Sequence, residues 1–172
     1  MIRLSATISA ALLLVCLLAA CSTTTVYIVR HAEKADETDS TDLSRAGQRR
    51  ALALADTLAK RGIDSIFTTP YRRTRQTAQP LAQRLNIQPV TYPASPLNGI
   101  VQRVNRIRHR TVMIVGHSNT ILPIAQGLGA RPAITQIEPG DYDNLLMLRI
   151  KHRPFGKKVT LSERTYGEVT RP

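Results

Sequence analysis

The chain has 172 residues, with 24 Lys and Arg against 12 Asp and Glu, a formal net charge of +12, and seven Tyr and Phe but no Trp. An excess of basic residues points to anionic partners, but with no aromatics interleaved among the arginines it argues against nucleic acid. Cys16 and Cys21 are the two cysteines and both lie near the start, so disulfides, thiolate catalysis and cysteine metal sites are excluded from the remainder.

In chain order, Arg3 supplies a positive start, Ala10 to Leu18 an apolar core, and Leu18-Ala19-Ala20-Cys21 the close. The run is too short to span a membrane and suits a secretory signal over residues 1–20. Its ending resembles the bacterial lipobox, which implies cleavage before Cys21 and lipidation of that cysteine. Residues 21–25 are then a short tether, and 26–172 form one domain. Acyl chains on Cys21 would hold it at a bilayer. Ser22 in place of Asp implies the cell envelope, at the periplasmic face of the outer membrane.

Val26 to Val29 reads as a first strand: β-branched, continuously apolar and suited to burial on both faces of a parallel sheet. After a polar loop, Leu43 to Arg61 reads as a helix, with Ser44 near its start, Leu52, Ala55, Leu58 and Ala59 at helical spacing, and Gly62 ending it. Ile63 to Thr68 is a second strand. Pro70 to Leu85 is a helical stretch that Pro80 should break or kink. Pro89 to Tyr92 is a candidate strand, Asn98 to Arg108 a helix, Val112 to Val115 a strand and Asn119 to Leu128 a helix. Asn144 to Ile150 and Lys158 to Ser162 read as an antiparallel edge hairpin turning at Pro154 to Gly156. Strands alternating with helices predict a three-layer α/β/α sandwich with a mostly parallel central sheet.

Charge is uneven along this pattern. Residues 21–64 carry seven basic and seven acidic side chains, whereas 65–137 carry nine arginines, no lysine and no carboxylate. Arginine's planar fork suits bidentate contact with phosphate, although most of these arginines are expected on a solvated basic face. Such a face would also suit anionic lipid. His109 and His152 sit among basic residues and read as surface.

Two of the apolar strands end on a histidine, in Val29-Arg30-His31-Ala32-Glu33-Lys34 and Val115-Gly116-His117-Ser118-Asn119. Side chains just past the carboxyl ends of parallel strands converge on the crevice where open α/β sheets bind ligands. Two imidazoles and arginines delivered there suggest phosphoryl transfer with histidine as nucleophile. A phosphomonoester carries nearly two negative charges that repel an attacking lone pair, and guanidinium and imidazole N–H groups can neutralise and orient it. Nearby cations also favour the neutral imidazole that keeps its lone pair. Arginines beside both histidines disfavour a divalent metal, and no cofactor is expected; without a Gly-rich phosphate loop, nucleotide triphosphatase readings fall away.

The order Arg30-His31-x-Glu33, then Thr69-x-x-x-Arg73-x-x-Gln76-Thr77-Ala78, then Gly116-His117-Ser118 resembles the histidine phosphatase superfamily, with its phosphoglycerate-mutase-like fold. The resemblance covers roughly residues 25 to 150. It implies His31 as the nucleophile that becomes phosphohistidine, Arg30 and Arg73 on phosphate oxygens, and His117 donating to the transferring group. Arg72 and Arg75 remain alternatives to Arg73. Many members supply an acid to the leaving group from mid-chain or directly after the second histidine, and here neither position holds one. Glu33 is the nearest candidate for that catalytic role; its other reading is a carboxylate that pairs with an arginine.

The function expected is hydrolysis of a phosphomonoester or phosphoramidate, with a phosphorylated small molecule or an envelope glycolipid as substrate. The rival is a catalytically weak envelope lipoprotein that binds phosphate or anionic glycolipid in the same pocket.

Overall fold

A computed structural model of the chain describes residues 22–170. The expected signal over 1–20 and the lipidation site at Cys21 lie outside the described residues. Six strands form one sheet: β1 (Ser22–Arg30), β2 (Ser65–Thr68), β3 (Val90–Thr91), β4 (Thr111–Gly116), β5 (Asn144–Arg153) and β6 (Gly156–Thr165), in the spatial order β3-β2-β4-β1-β5-β6. The first four in that order run parallel, and β5 and β6 add an antiparallel edge hairpin.

Among the described residues four helices cover the sheet: α1 (Arg45–Leu58), α2 (Arg72–Leu85), α3 (Asn98–Arg106) and α4 (Ile121–Gly127). The period-two alternation of β1 divides the core between the two faces. Tyr27 and Val29 pack with Leu54 and Leu58 of α1 and Leu81 of α2. Val26 and Ile28 pack with Ile100 and Val104 of α3 and Ile121 and Ile124 of α4. The three-layer α/β/α sandwich expected from the sequence is the observed architecture.

Several boundaries differ for physical reasons. Ser22 to Thr25, expected as a tether, is the first part of β1. Ser22 and Thr24 turn inward, Thr24 is fully buried with its hydroxyl donating 2.8 Å to Ile107 O, and Ser22 pairs with His152 of β5. Helix α1 starts at Arg45, because the Ser44 hydroxyl caps it by accepting from Gly47 N at 3.1 Å. Its inward face is Ala51, Leu54, Ala55 and Leu58, while Leu52 is half exposed. Pro80 lies inside α2 without ending it, and Asn86 closes the helix in the left-handed region at φ 52°. His152, expected at the surface, is buried beside Thr24, with Nε2 3.5 Å from its hydroxyl.

Candidate active site

Four parallel strands deliver the site at their carboxyl ends. A cavity of about 520 Å³ is lined by Arg30, His31 and Lys34 after β1, Tyr71 and Arg73 around the start of α2, Ala94 and Ser95 after β3, and His117 to Thr120 after β4. No Asp or Glu lines it, and α2 starts here with no acidic residue in its first turn, so its positive end is not neutralised.

His31 and His117 meet edge to face with ring centroids 5.4 Å apart, both buried. His31 N–H donates to Gly116 O at 2.9 Å, tying the end of one histidine strand to the other. The His31 Nδ1 lies 2.8 Å from Ala32 O. A carbonyl can only accept, so Nδ1 carries the proton and Nε2 keeps the lone pair. Burial first, then the charges of Arg30 and Arg73 and the neighbouring His117, push the His31 pKa down to about 3, although the Ala32 carbonyl pulls it upward. Burial, then Arg73 and Arg30, push His117 down to about 4. Both rings are therefore neutral near pH 7.

The hydroxyl of Thr69 lies 3.0 Å from His117 Nε2 and 2.9 Å from the Thr74 hydroxyl, which itself donates to Thr69 O and Tyr71 O. Backbone bonds hold His117 from the other side: its N–H donates to Thr120 Oγ1 at 2.8 Å, and its carbonyl accepts from Ile121 N at 3.1 Å. Gly116 leaves room for this turn, since a Cβ there would lie 2.7 Å from Thr120 Oγ1.

The two arginines are positioned by opposite means. Arg30 is buried, with Nη1 donating to the carbonyls of Glu138, Pro139 and Asp141 at 2.8, 3.0 and 2.8 Å, and its guanidinium carbon 4.0 Å from the Tyr142 ring centroid. Its Nε is buried with no partner among the described residues, a donor that an anion's oxygen would satisfy. Arg73 reaches over Tyr71 at 4.3 Å and donates to Asp39 O at 2.8 Å.

The alternatives left open among the arginines separate here. Arg72 pairs with Asp42 through Nε and Nη2 at 2.8 and 2.9 Å, and Arg75 lines a different groove. Arg73 alone of the three lines the histidine cavity.

Glu33, expected as a candidate proton donor, is not in the cavity lining. It accepts from Arg50 Nε and Nη2 at 2.8 Å each, and Arg50 also donates to Tyr166 O at 3.1 Å. Helix α1 comes so close that a Cβ on Gly47 would lie 2.3 Å from Glu33 O. Glu33 therefore locks the loop after His31 to α1 and to the chain after β6. The rest of the second motif performs the same task. Thr77 Oγ1 accepts from Ala32 N at 2.9 Å, and Gln76 Oε1 accepts from Leu43 N at 2.8 Å.

Sequence reasoning missed Lys34, Tyr71 and Tyr142. Lys34 carried a signal, since it follows His31 by three residues on one loop; it also pairs with exposed Glu37. Tyr142 carried none, because only the folding of the 138–141 carbonyls onto Arg30 brings its ring near His31, at 6.0 Å between centroids.

Comparison with known proteins bears on the fold and on part of the chain. The model of the histidine phosphatase superfamily (branch 1) matches residues 26–94. An uncharacterized protein of Mycobacterium tuberculosis strain H37Rv is 35% identical over 77 residues, covering 41% of this chain and 38% of that protein. The match thus spans about two fifths of the curated relative's length. Among solved structures, the mycobacterial glucosyl-3-phosphoglycerate phosphatase superposes with a TM-score of 0.67 at 15% identity, covering 84% of this chain and 100% of that one. A candidate phosphohistidine phosphatase, SixA of Agrobacterium tumefaciens, gives 0.55 at 22% identity over 80% and 97%. Bacillus stearothermophilus YhfR gives 0.60 at 15% over 81% and 96%. These likenesses place the fold with that of known phosphatases.

Proposed function

We propose that the chain is a histidine phosphatase that hydrolyses a phosphomonoester or phosphoramidate through a phosphohistidine on His31. The observation that carries this reading is one carboxylate-free cavity in which a neutral His31, with Nδ1 held by a carbonyl, faces His117, Arg30 and Arg73. The match to the superfamily over residues 26–94 and the phosphatases among the structural neighbours support it.

In the first step the His31 Nε2 lone pair forms a bond to phosphorus as the bond to the leaving group breaks. Arg30 and Arg73 balance the charge on the phosphoryl oxygens, and the neutral His117 contributes an N–H donor. The leaving group takes its proton from solvent, since no carboxylate lines the cavity. Water then attacks the phosphohistidine, the P–N bond breaks, the lone pair returns to Nε2, and inorganic phosphate leaves. Two steps replace one harder displacement. The reading requires neither metal nor cofactor.

The apolar run before Leu18-Ala19-Ala20-Cys21 supports a lipid anchor on Cys21 and a place in the bacterial envelope, at the periplasmic face of the outer membrane. No helix among the described residues is long and apolar enough to cross a membrane. Phosphorylated small molecules and envelope glycolipids are the substrate classes this location offers.

The cavity's lack of an acid favours one rival, a weak envelope lipoprotein that only binds phosphate there. Turnover of an aryl phosphate in the presence of chelator, beside His31→Ala and a rapid quench for acid-labile protein phosphate, decides between them. Turnover and label lost together in the variant are expected. Phosphate binding without turnover or label in either protein would leave the rival.

A further inference from the structure

The opposite edge of the sheet carries a second concentration of positive charge. There β5 ends, the chain turns through Pro154 and Phe155, and β6 begins, beside the first residue of β1. Phe155 at the tip is 97% exposed, the largest exposure among the bulky apolar side chains described. Arg149, Lys151 and Arg153 project from one face of β5, with Lys158 and Thr160 of β6 beside them around a cavity of about 260 Å³. A second cavity of about 580 Å³, bordered again by Arg153, is lined by Arg108, His152 and Lys157.

Folding alone does not account for this pattern. Lys151 stands directly opposite Lys158 in the hairpin register, and like charges so placed destabilise a strand pair. No Asp or Glu lines either cavity. Among the described residues, Arg149, Lys151, Arg153 and Lys158 have no carboxylate partner. Uncompensated cations flanking an exposed aromatic tip are the chemistry that seats a surface on anionic headgroups, the ring entering the interface and the cations meeting phosphates.

We infer that this hairpin edge docks the domain on an anionic lipid bilayer, with Phe155 in the interface and Arg149, Lys151, Arg153 and Lys158 on headgroup phosphates. The way the chain enters the fold supports the choice of occupant. The sequence puts Cys21 and the apolar run before it immediately ahead of Ser22, and Ser22 pairs with His152 two residues before Pro154. An anchor at Cys21 would leave no slack, so the bilayer and the hairpin tip would adjoin.

The orientation also narrows the substrate, and this corollary rests on the phosphatase reading above. Strand β1 leads from the docking edge to His31 over nine residues, about 30 Å at the usual rise of ~3.3 Å per residue. The catalytic cavity then faces away from the bilayer, and headgroups of that bilayer do not reach it. The substrate class is a soluble phosphate compound rather than a glycolipid of the docking membrane.

The chain has no Trp, so Phe155→Trp in the full-length protein gives a single reporter at the tip, and Val169→Trp one beyond β6 at the other edge. Both are bound to vesicles of zwitterionic lipid or of the same lipid with an anionic component, each with brominated acyl chains. Emission at 155 should shift blue and be quenched on the anionic vesicles, and emission at 169 on neither. Adding Lys151→Gln, Arg153→Gln and Lys158→Gln should lower the docked-to-undocked ratio about a hundredfold, at roughly fivefold per charge, with the circular dichroism spectrum unchanged.

A vesicle-bound protein whose position 155 stays unshifted and unquenched on the anionic vesicles overturns the inference. So does a shift at 155 with a soluble polyanion but none with anionic vesicles. The readout is optical and needs no turnover, so a failed docking test and a failed phosphatase assay are told apart.

Discussion

The two edges of the parallel sheet are both rich in cations, and they treat them differently. At the carboxyl edge both arginines of the cavity are held in place: Arg30 by three carbonyls and the Tyr142 ring, Arg73 by Asp39 O and the Tyr71 ring. Neutral partners fix a guanidinium without cancelling its charge. At the amino edge, Lys151, Arg153 and Lys158 are exposed and, among the described residues, paired with no carboxylate. Preorganised charge suits a developing transition state, whereas mobile charge suits a fluid, laterally variable surface. Net charge alone does not separate these uses; the identity of the partners does.

The largest effect expected from this contrast concerns the leaving group. With no acid in the cavity, alkyl phosphates should turn over some 10²–10⁴-fold more slowly than aryl or acyl phosphates. A series of phosphates of graded leaving-group pKa measures the slope, and a flat one would mean that a donor reaches the site. Next, Arg73→Ala should lower kcat/KM by about 10²–10³-fold, and Arg73→Lys should not restore it, because a lysine lacks the fork. Lys158→Gln, at the other edge, should leave kcat/KM unchanged. Equal losses in the two variants would erase the distinction between the edges.

A smaller effect belongs to Glu33. Glu33→Gln strips the buried Arg50 of its carboxylate and should cost about 3 kcal/mol of stability, read by denaturant unfolding. The leaving-group slope should stay as it was. A steeper slope in the variant would return Glu33 to the role of proton donor.

A further effect lies in pH. Both histidines are depressed in the folded state, to about 3 and about 4, against an ordinary value of about 6.5 unfolded. The unfolded chain therefore takes up protons that the folded one refuses as pH drops below 6.5. Their contribution is whole above that pH and declines as pH falls towards 4. Thermal unfolding across pH 7 to 4 should show this loss, and His31→Ala should make it shallower. For the same reason His31 remains unprotonated, and able to attack, at pH 5.

What was legible in the sequence follows physical range. The strands ending at His31 and His117 could be read because burial on both faces demands an unbroken β-branched run. The helices could be read from their apolar spacing, and the hairpin from Pro154 to Gly156. Thr69 and Arg73 kept the spacing that sets them at one strand end. The start of β1 was hidden because Ser22-Thr23-Thr24-Thr25 is polar, and only the docking of Ile107 to Arg110 against it makes burial of Thr24 favourable. That Glu33 could pair with an arginine was legible, but which arginine was not: Arg50 lies seventeen residues on, in a helix whose close approach depends on Gly47. Pairings made by tertiary contact leave no local pattern.

The place of β1 in the sheet has a consequence for the order in which the molecule can be assembled. It is the first strand of the described chain, yet both its neighbours come late: Thr25 stands opposite Thr111, and Ser22 opposite His152. No rung of its ladders can close until the second half of the chain exists, and contacts of such long sequence separation form slowly. During synthesis the first hundred residues have no partner for their central strand. A polypeptide with that topology stays threadable until well past its midpoint, a delay that favours passage of a chain through a membrane before it folds.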